Sequence, residues 1–205
     1  MESRIKNIIF DYGGVIMDID PMAYVGEMIR LGCRDVKGLH ESFMDRQVYR
    51  KFESGHITAG EFRDLIRAGL PNHATDAQID HAWNLILREV PPHRVEFIRS
   101  LRPGYRTFLL SNTNPIHYGF YQDYARNRFG LPSLDSLFDK AYFSFLIGRY
   151  KPDHDIFQYV IEDSGLDPAE TVFIDDMAEN VEAARACGLH GIHLAQGMDI
   201  TKLSF

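Results

Sequence analysis

Two cysteines in 205 residues are too few for a disulfide framework, and Cys33 and Cys187 stand at neither a metal-like nor a redox-like spacing. They read as packing thiols. No stretch approaches the roughly 18 to 20 consecutive apolar residues that crossing a bilayer requires, so no membrane span is expected. Positive charge is also in short supply: 22 Lys and Arg against 29 Asp and Glu leave a net charge of −7. Such a chain lacks the basic face that displaces counterions from a phosphate backbone, so no nucleic-acid partner is expected. Any anionic ligand must then be held by a local site. Arg4 and Lys6 precede an apolar run, Ile8 to Phe10, that Asp11 cuts short. No targeting segment is expected there, and the chain reads as cytoplasmic.

What is present is a set of short apolar runs. Residues 5–10 (IKNIIF) read as a strand buried on both faces, and similar runs lie at 105–110, 140–143, 171–174 and 191–194. From residue 105 onward these runs alternate with helical patterns, which is the βαβ signature of a parallel sheet covered by helices. Asp153 stands where it can cap a helix with Ile156, Phe157, Val160 and Ile161 on one face, ended by Gly165. Nearly ninety residues separate the first two strands, far more than one crossover helix uses. Within them Thr58 to Glu61 and Thr75 to Gln78 have capping-box form, followed by apolar residues at helical spacing, with Trp83 expected inside the lobe. The expected fold is therefore α/β: a Rossmann-like three-layer parallel sheet core, residues 1–16 and 91–205, with an inserted α-helical lobe at residues 17–90. "VPPH" at 90–93 suits a hinge.

In an open parallel sheet, ligands bind beyond the carboxyl ends of the strands, near the point where strand order reverses. The first strand delivers Asp11, and the second, "FLLSNTN", delivers Ser111 and Asn112. The fourth, "VFIDDMAEN", delivers Asp175 and Asp176, with Asn180 one turn into the next helix. "GRYKPD" offers Lys151 between the second and fourth of these strands. Singly, each has an ordinary reading: a strand-end Asp caps a turn, Ser111 is a turn hydroxyl, Lys151 a solvated lysine, and the acidic pair a helix cap. His56, His117 and His154 are read as surface or packed residues.

Taken in order, "FDYGGV", "SNTNP", Lys151 and "FIDDMAEN" resemble the motifs of the haloacid dehalogenase superfamily of aspartate-nucleophile hydrolases. The resemblance covers essentially the whole chain, and the helical lobe is similar to that superfamily's helical cap. The small sugar-phosphate phosphatase branch is the nearest likeness. The resemblance implies a Mg²⁺-dependent phosphatase acting on a small phosphorylated metabolite, with a sugar-like monoester as substrate. Asp11 would attack phosphorus and form an aspartyl-phosphate. Mg²⁺ takes octahedral oxygen ligation, which Asp11, the Gly13 carbonyl and Asp176 would supply, with Asp175 acting directly or through water. Lys151 would pair with the phosphoryl group and Asp11, and Ser111 and Asn112 would bind the phosphate. Asn180 would orient the ligands.

One position departs from the superfamily's usual phosphatase pattern, in which a second Asp two residues after the nucleophile protonates the leaving alcohol. Here that residue is Gly13. Metal ligation by a backbone carbonyl survives the change. General acid catalysis is worth about 10² to 10⁴, against a total acceleration that can reach about 10²¹ for phosphate monoesters. The alternatives are that Asp18 or Asp20 or solvent serves the leaving group, that the chain binds phosphate with weak or no turnover, or that the substrate needs no protonation. Dehalogenation is disfavoured, because it resembles a metal-free pattern with an aromatic residue two positions after the nucleophile, whereas Tyr12 stands one position after. A response-regulator receiver is rejected by its acidic pair, which follows the first strand.

Overall fold

The computed structural model describes residues 4–71 and 73–205. Five strands form one parallel sheet: β1 (Asn7–Phe10), β2 (Arg106–Ser111), β3 (Lys140–Phe143), β4 (Thr171–Asp175) and β5 (His190–His193). The spatial order is β3-β2-β1-β4-β5. The chain begins at the centre, winds outward to one edge, then returns to the other side of β1. Strand order therefore reverses between β1 and β4, which pair in register from Asn7 opposite Thr171 to Phe10 opposite Ile174.

Alternation along the strands sends side chains to two separate cores. Ile8, Phe10, Leu109, Val172 and Ile174 join one cluster with Ile98, Tyr121 and Ala125, contributed by α6 (Pro92–Leu101) and α7 (Pro115–Phe129). Ile9, Phe108, Leu110 and Phe173 join the other, with Ile156, Phe157 and Val160 of α9 (His154–Ser164) and Ala183 and Ala184 of α10 (Ala178–Ala186). Helix, sheet and helix make the three expected layers. The fifth strand is an edge strand, half-exposed, and lies one residue earlier than its sequence pattern suggested.

Between β1 and α6 five helices follow one another among the described residues: α1 (Pro21–Arg30), α2 (Val36–Asp45), α3 (Val48–Glu53), α4 (Ala59–Ala68) and α5 (Asp76–Asn84). Both capping boxes form, with Thr58 and Glu61, and Thr75 and Gln78, satisfying each other's backbone and side-chain groups. These helices bury a core of their own around Phe43, Phe52, Phe62, Ile66, Ile79 and Trp83, closed from below by Ile116 of α7. Trp83 stacks on Tyr49 at 5.7 Å and on His117 at 5.0 Å, so it is a packing residue as expected.

The insert is joined to the sheet by two antiparallel crossings. Asp18 N–H donates to Glu89, Arg88 N–H to Asp18, and Asp20 N–H to Ile86. A second tie lies on the far side. A short helix, α8 (Ser144–Ile147), follows β3, and the buried Ser144 hydroxyl donates to the Glu53 carbonyl at the end of α3. Gly55, with φ +74°, sits so close to the Phe145 carbonyl that a Cβ there would come within 2.5 Å of it. Asp153 stands at the N-cap of α9 as expected, but its carboxylate does not cap; it pairs instead with Arg50 of α3.

Candidate active site

Asp11 immediately follows β1, and its N–H donates to Ile174, continuing the ladder with β4. That register brings Asp11 beside Asp175, the last residue of β4. Lys151 reaches between them from the loop after α8. Its ammonium donates to Asp11 Oδ1 at 2.6 Å, Asp175 Oδ2 at 2.7 Å and the Leu110 carbonyl at 2.9 Å. Only 1% of Lys151 is exposed. Burial works against its charge, yet Asp11 and Asp175 outweigh that cost and hold the ammonium above the ordinary lysine range.

Asp175 is fully enclosed and fully hydrogen-bonded. Oδ1 accepts from Met177 N–H at 2.8 Å, and Asn180 Nδ2 donates to both carboxylate oxygens at 3.0 Å. The expected orienting role of Asn180 therefore has a concrete partner, Asp175. Asp176 is half-buried, and its carboxylate lies against the Gly14 turn, where a Cβ would come within 2.3 Å of Oδ2. Burial and then Asp175 raise its pKa.

Ser111, the last residue of β2, is 2% exposed, and among the described residues its hydroxyl finds only the Asn112 carbonyl, at a loose 3.5 Å. The Asn112 side chain is differently employed. Its Oδ1 accepts from Lys151 N–H and its Nδ2 donates to the Lys151 carbonyl, both at 2.9 Å. That reciprocal pair clamps the backbone that carries the lysine and occupies the amide expected to bind phosphate.

Gly13 lies in a tight turn closed by Gly14 N–H to Met17 and by Ile16 and Met17 N–H to Tyr12. The Gly13 carbonyl accepts none of these backbone bonds. Gly14 has φ +77° and needs to be glycine, but Gly13 is not in the positive-φ region. A Cβ on Gly13 would meet only Ile19 Cγ2 at 3.6 Å, an ordinary contact. The absence of a carboxyl here is not imposed by the backbone. The two acids proposed as substitutes are both committed elsewhere. Asp18 accepts from Arg94 at 2.8 Å, and Asp20 caps α1 through Met22 N–H. Tyr12 is buried against Tyr121 at 4.5 Å between ring centroids and presents no face to a substrate.

Asp11, Asp175 and Asp176 each place a carboxylate oxygen within 4.8 Å of the others. One ammonium thus faces three carboxylates. Burial pushes the Asp11 pKa up to about 7, with Lys151 opposing and Asp175 adding to the rise. An all-oxygen cluster with this surplus of negative charge suits a divalent cation, whose charge reverses the local cost of ionising the acids.

One further acid belongs to "FESGH", residues 52–56, a linker between helical segments that reads as able to face the core site. Glu53, at the end of α3, lies half-buried in the wall of a cavity of about 480 Å³ between the insert's helices, together with Tyr24, Tyr49, Trp83 and Ile86. The segment as a whole could be placed from its position between helical patterns, but nothing in the spacing separated its acid from any other.

The fold is an α/β parallel sheet with a helical insert and an acidic cluster at its switch point, and the chain belongs to the haloacid dehalogenase-like hydrolase family, whose profile matches residues 5–188. It is 33% identical to a D-ribitol-5-phosphate phosphatase of Bacteroides thetaiotaomicron over 195 residues, 95% of this chain and 94% of that protein. A HAD family enzyme from the same organism, solved in complex with magnesium and inorganic phosphate, superposes with a TM-score of 0.87 at 34% identity, covering 96% and 98% of the two chains. A predicted HAD-like hydrolase from Porphyromonas gingivalis superposes at 0.84 with 36% identity, covering 95% and 93%.

Proposed function

We propose that this chain is a Mg²⁺-dependent phosphatase that hydrolyses a small, sugar-like phosphate monoester through an aspartyl-phosphate on Asp11. The observation that carries the reading is the trio of Asp11, Lys151 and Asp175 at the switch point of the sheet, with Asp176 one residue on. Asp11, the free Gly13 carbonyl and Asp176 would hold Mg²⁺. Asp175 is already saturated by four hydrogen bonds and supports the cluster from behind. When bound, the ion supplies positive charge against the phosphoryl oxygens.

Lys151 screens the Asp11 carboxylate and contributes charge where the transferring phosphoryl group develops its own. Asn112 keeps the lysine in place through its backbone. The Ser111 hydroxyl, with no firm partner, is available to a phosphate oxygen. Residues 17–90 would act as a cap on a core formed by 1–16 and 91–205, closing over the site and excluding water. The cavity beside Glu53 has the volume of a small-molecule site. Its aromatic walls suit the C–H faces of a short polyol, leaving Lys37, His40 and Glu53 for hydroxyls. The named activity of the 33%-identical relative supports a phosphorylated polyol as the class.

The test is a panel of phosphate esters, sugar phosphates beside aryl and terpenyl phosphates, assayed with Mg²⁺ and after chelation. The expected result is turnover that disappears on chelation and favours polyol and sugar phosphates. Turnover unaffected by chelation would overturn the metal assignment.

A further inference from the structure

We propose that Glu53 is the proton donor to the leaving alcohol, taking over from the helical insert the task that the absent carboxyl at position 13 performs in the usual pattern. The inference rests on the phosphatase reading above and adds a catalytic residue to it.

Three observations carry it. First, Glu53 is anchored to the sheet rather than left on a swinging loop. Its carbonyl accepts from Ser144, and the same hydroxyl oxygen accepts Thr113 N–H at 2.9 Å, two residues beyond Ser111. Gly55 against Phe145, and Arg50 against both Asp153 and the Tyr150 ring, fix the same helix end from either side. Second, the carboxyl lies near the loop that carries the lysine. Tyr150, the residue before Lys151, and Asn114, at the N-cap of α7, both face it, and Lys151 is close enough for its charge to act on it. Asn114 is completely buried, and its Nδ2 makes no close hydrogen bond among the described residues, acting on the Glu53 carboxyl only at longer range. A buried donor without a close partner leaves room for an oxygen, the carboxylate's or a ligand's, to complete it. Third, Glu53 lines the cavity proposed for the alcohol, whose other walls all come from the insert, and is the residue of that lining on which the Lys151 charge acts.

The surroundings suit an acid. Burial pushes the Glu53 pKa up to about 7, with Tyr150, Asn114 and Lys151 opposing the rise. The remaining facing groups are Tyr49, Tyr121 and, across the cavity, Lys37 and His40. In the transfer step an Asp11 oxygen forms a bond to phosphorus as the ester P–O bond breaks, and the Glu53 proton passes to the departing oxygen. In the second step water attacks the aspartyl-phosphate, its proton goes to the Glu53 carboxylate, and the P–O bond to Asp11 breaks. Inorganic phosphate leaves with both acids restored.

The test compares Mg²⁺-loaded wild type with Glu53→Gln on two substrates by rapid quench: a polyol phosphate, whose alkoxide needs a proton, and p-nitrophenyl phosphate, whose leaving group does not. The alkyl transfer rate should fall about 10² to 10⁴-fold. The aryl transfer should stay within about threefold and appear as a burst of nitrophenol, because hydrolysis of the aspartyl-phosphate is now the slow step. The wild-type loss of alkyl transfer as pH rises should be absent from the variant. Adding Gly13→Asp to Glu53→Gln should restore the alkyl rate selectively, since position 13 has room for the side chain. If Glu53→Gln does not fold, Glu53→Asp should slow only the alkyl ester and keep the alkaline limb. Alkyl and aryl transfer falling together, or neither falling, would overturn the assignment. Absence of Mg²⁺-dependent turnover of either ester by wild type would sink the phosphatase reading instead.

Discussion

The sheet end and the helical insert are built on opposite terms. At the sheet end, charge is concentrated and immobilised: three hydrogen bonds hold the Lys151 ammonium and four hold Asp175. The insert presents rings, with Tyr24, Tyr49 and Trp83 around one half-buried carboxyl. Charges that must act at phosphorus need fixed backbone positions, and parallel strand ends provide them. A wall that accepts an alcohol needs shape, which helices packed on aromatic residues provide. On the proposal above, the carboxyl absent from position 13 of the charged half would be supplied by the shape-forming half, where Glu53 is tied down.

The largest effect should come from Asp11→Asn, which strikes the charged half alone. Turnover should drop about 10⁴-fold or more, while the thermal transition remains cooperative. A variant retaining the wild-type rate would remove Asp11 from the mechanism. Lys151→Met should follow. Removing the ammonium leaves Asp11 and Asp175 facing each other without compensation, and stability measured by urea unfolding should fall by about 3 to 5 kcal/mol. A loss below about 1 kcal/mol would mean that the buried pair is not what holds these strand ends together.

A third change tests the insert's tie to the sheet. Gly55→Ala places a side chain at φ +74° against the Phe145 carbonyl, and should cost about 1 to 3 kcal/mol. It should raise KM for the ester while leaving competitive inhibition by inorganic phosphate unchanged. If both move together, the two halves are not separable in this way.

The smallest effect at neutral pH concerns His117, which sits between the halves, stacked on Trp83 and bonded through Nδ1 to Asn84 at 2.9 Å. Burial lowers its pKa from 6.5 to about 3. The folded protein therefore keeps it neutral where the unfolded chain protonates it. Its contribution is complete above pH 6.5 and is lost as pH falls from 6.5 towards 3, at up to about 1.4 kcal/mol per pH unit. His117→Gln should flatten that slope in chemical unfolding measured at pH 7, 5 and 4. An unchanged slope would show that other groups dominate acid sensitivity.

Much of this was legible in the chain itself. The apolar runs, the interrupting acids and the two capping boxes are local patterns, and each survives in the structure because strand alternation and helix capping depend on near neighbours. Asp11, Ser111, Lys151, Asp175 and Asp176 could be named because parallel strands deliver whatever follows them to one edge of the sheet. Asn112 illustrates the limit: its position was readable, but its clamp on Lys151 depends on a loop almost forty residues further along the chain.

The sequence by itself determined which residues end the strands, the helical insert and the glycine at position 13. Only the tertiary structure singled out one acid of the insert. Glu53 becomes distinct from the other acids because Ser144 takes its carbonyl, Gly55 lets the chain lie against Phe145, and Asn114 and Tyr150 face its carboxyl. The fate of Asp18 and Asp20 was decided in the same way, by Arg94 and by the first turn of α1. The physical reason is common to all three: burial and partnership set what a carboxyl can do, and both are properties of contacts between residues distant in the chain.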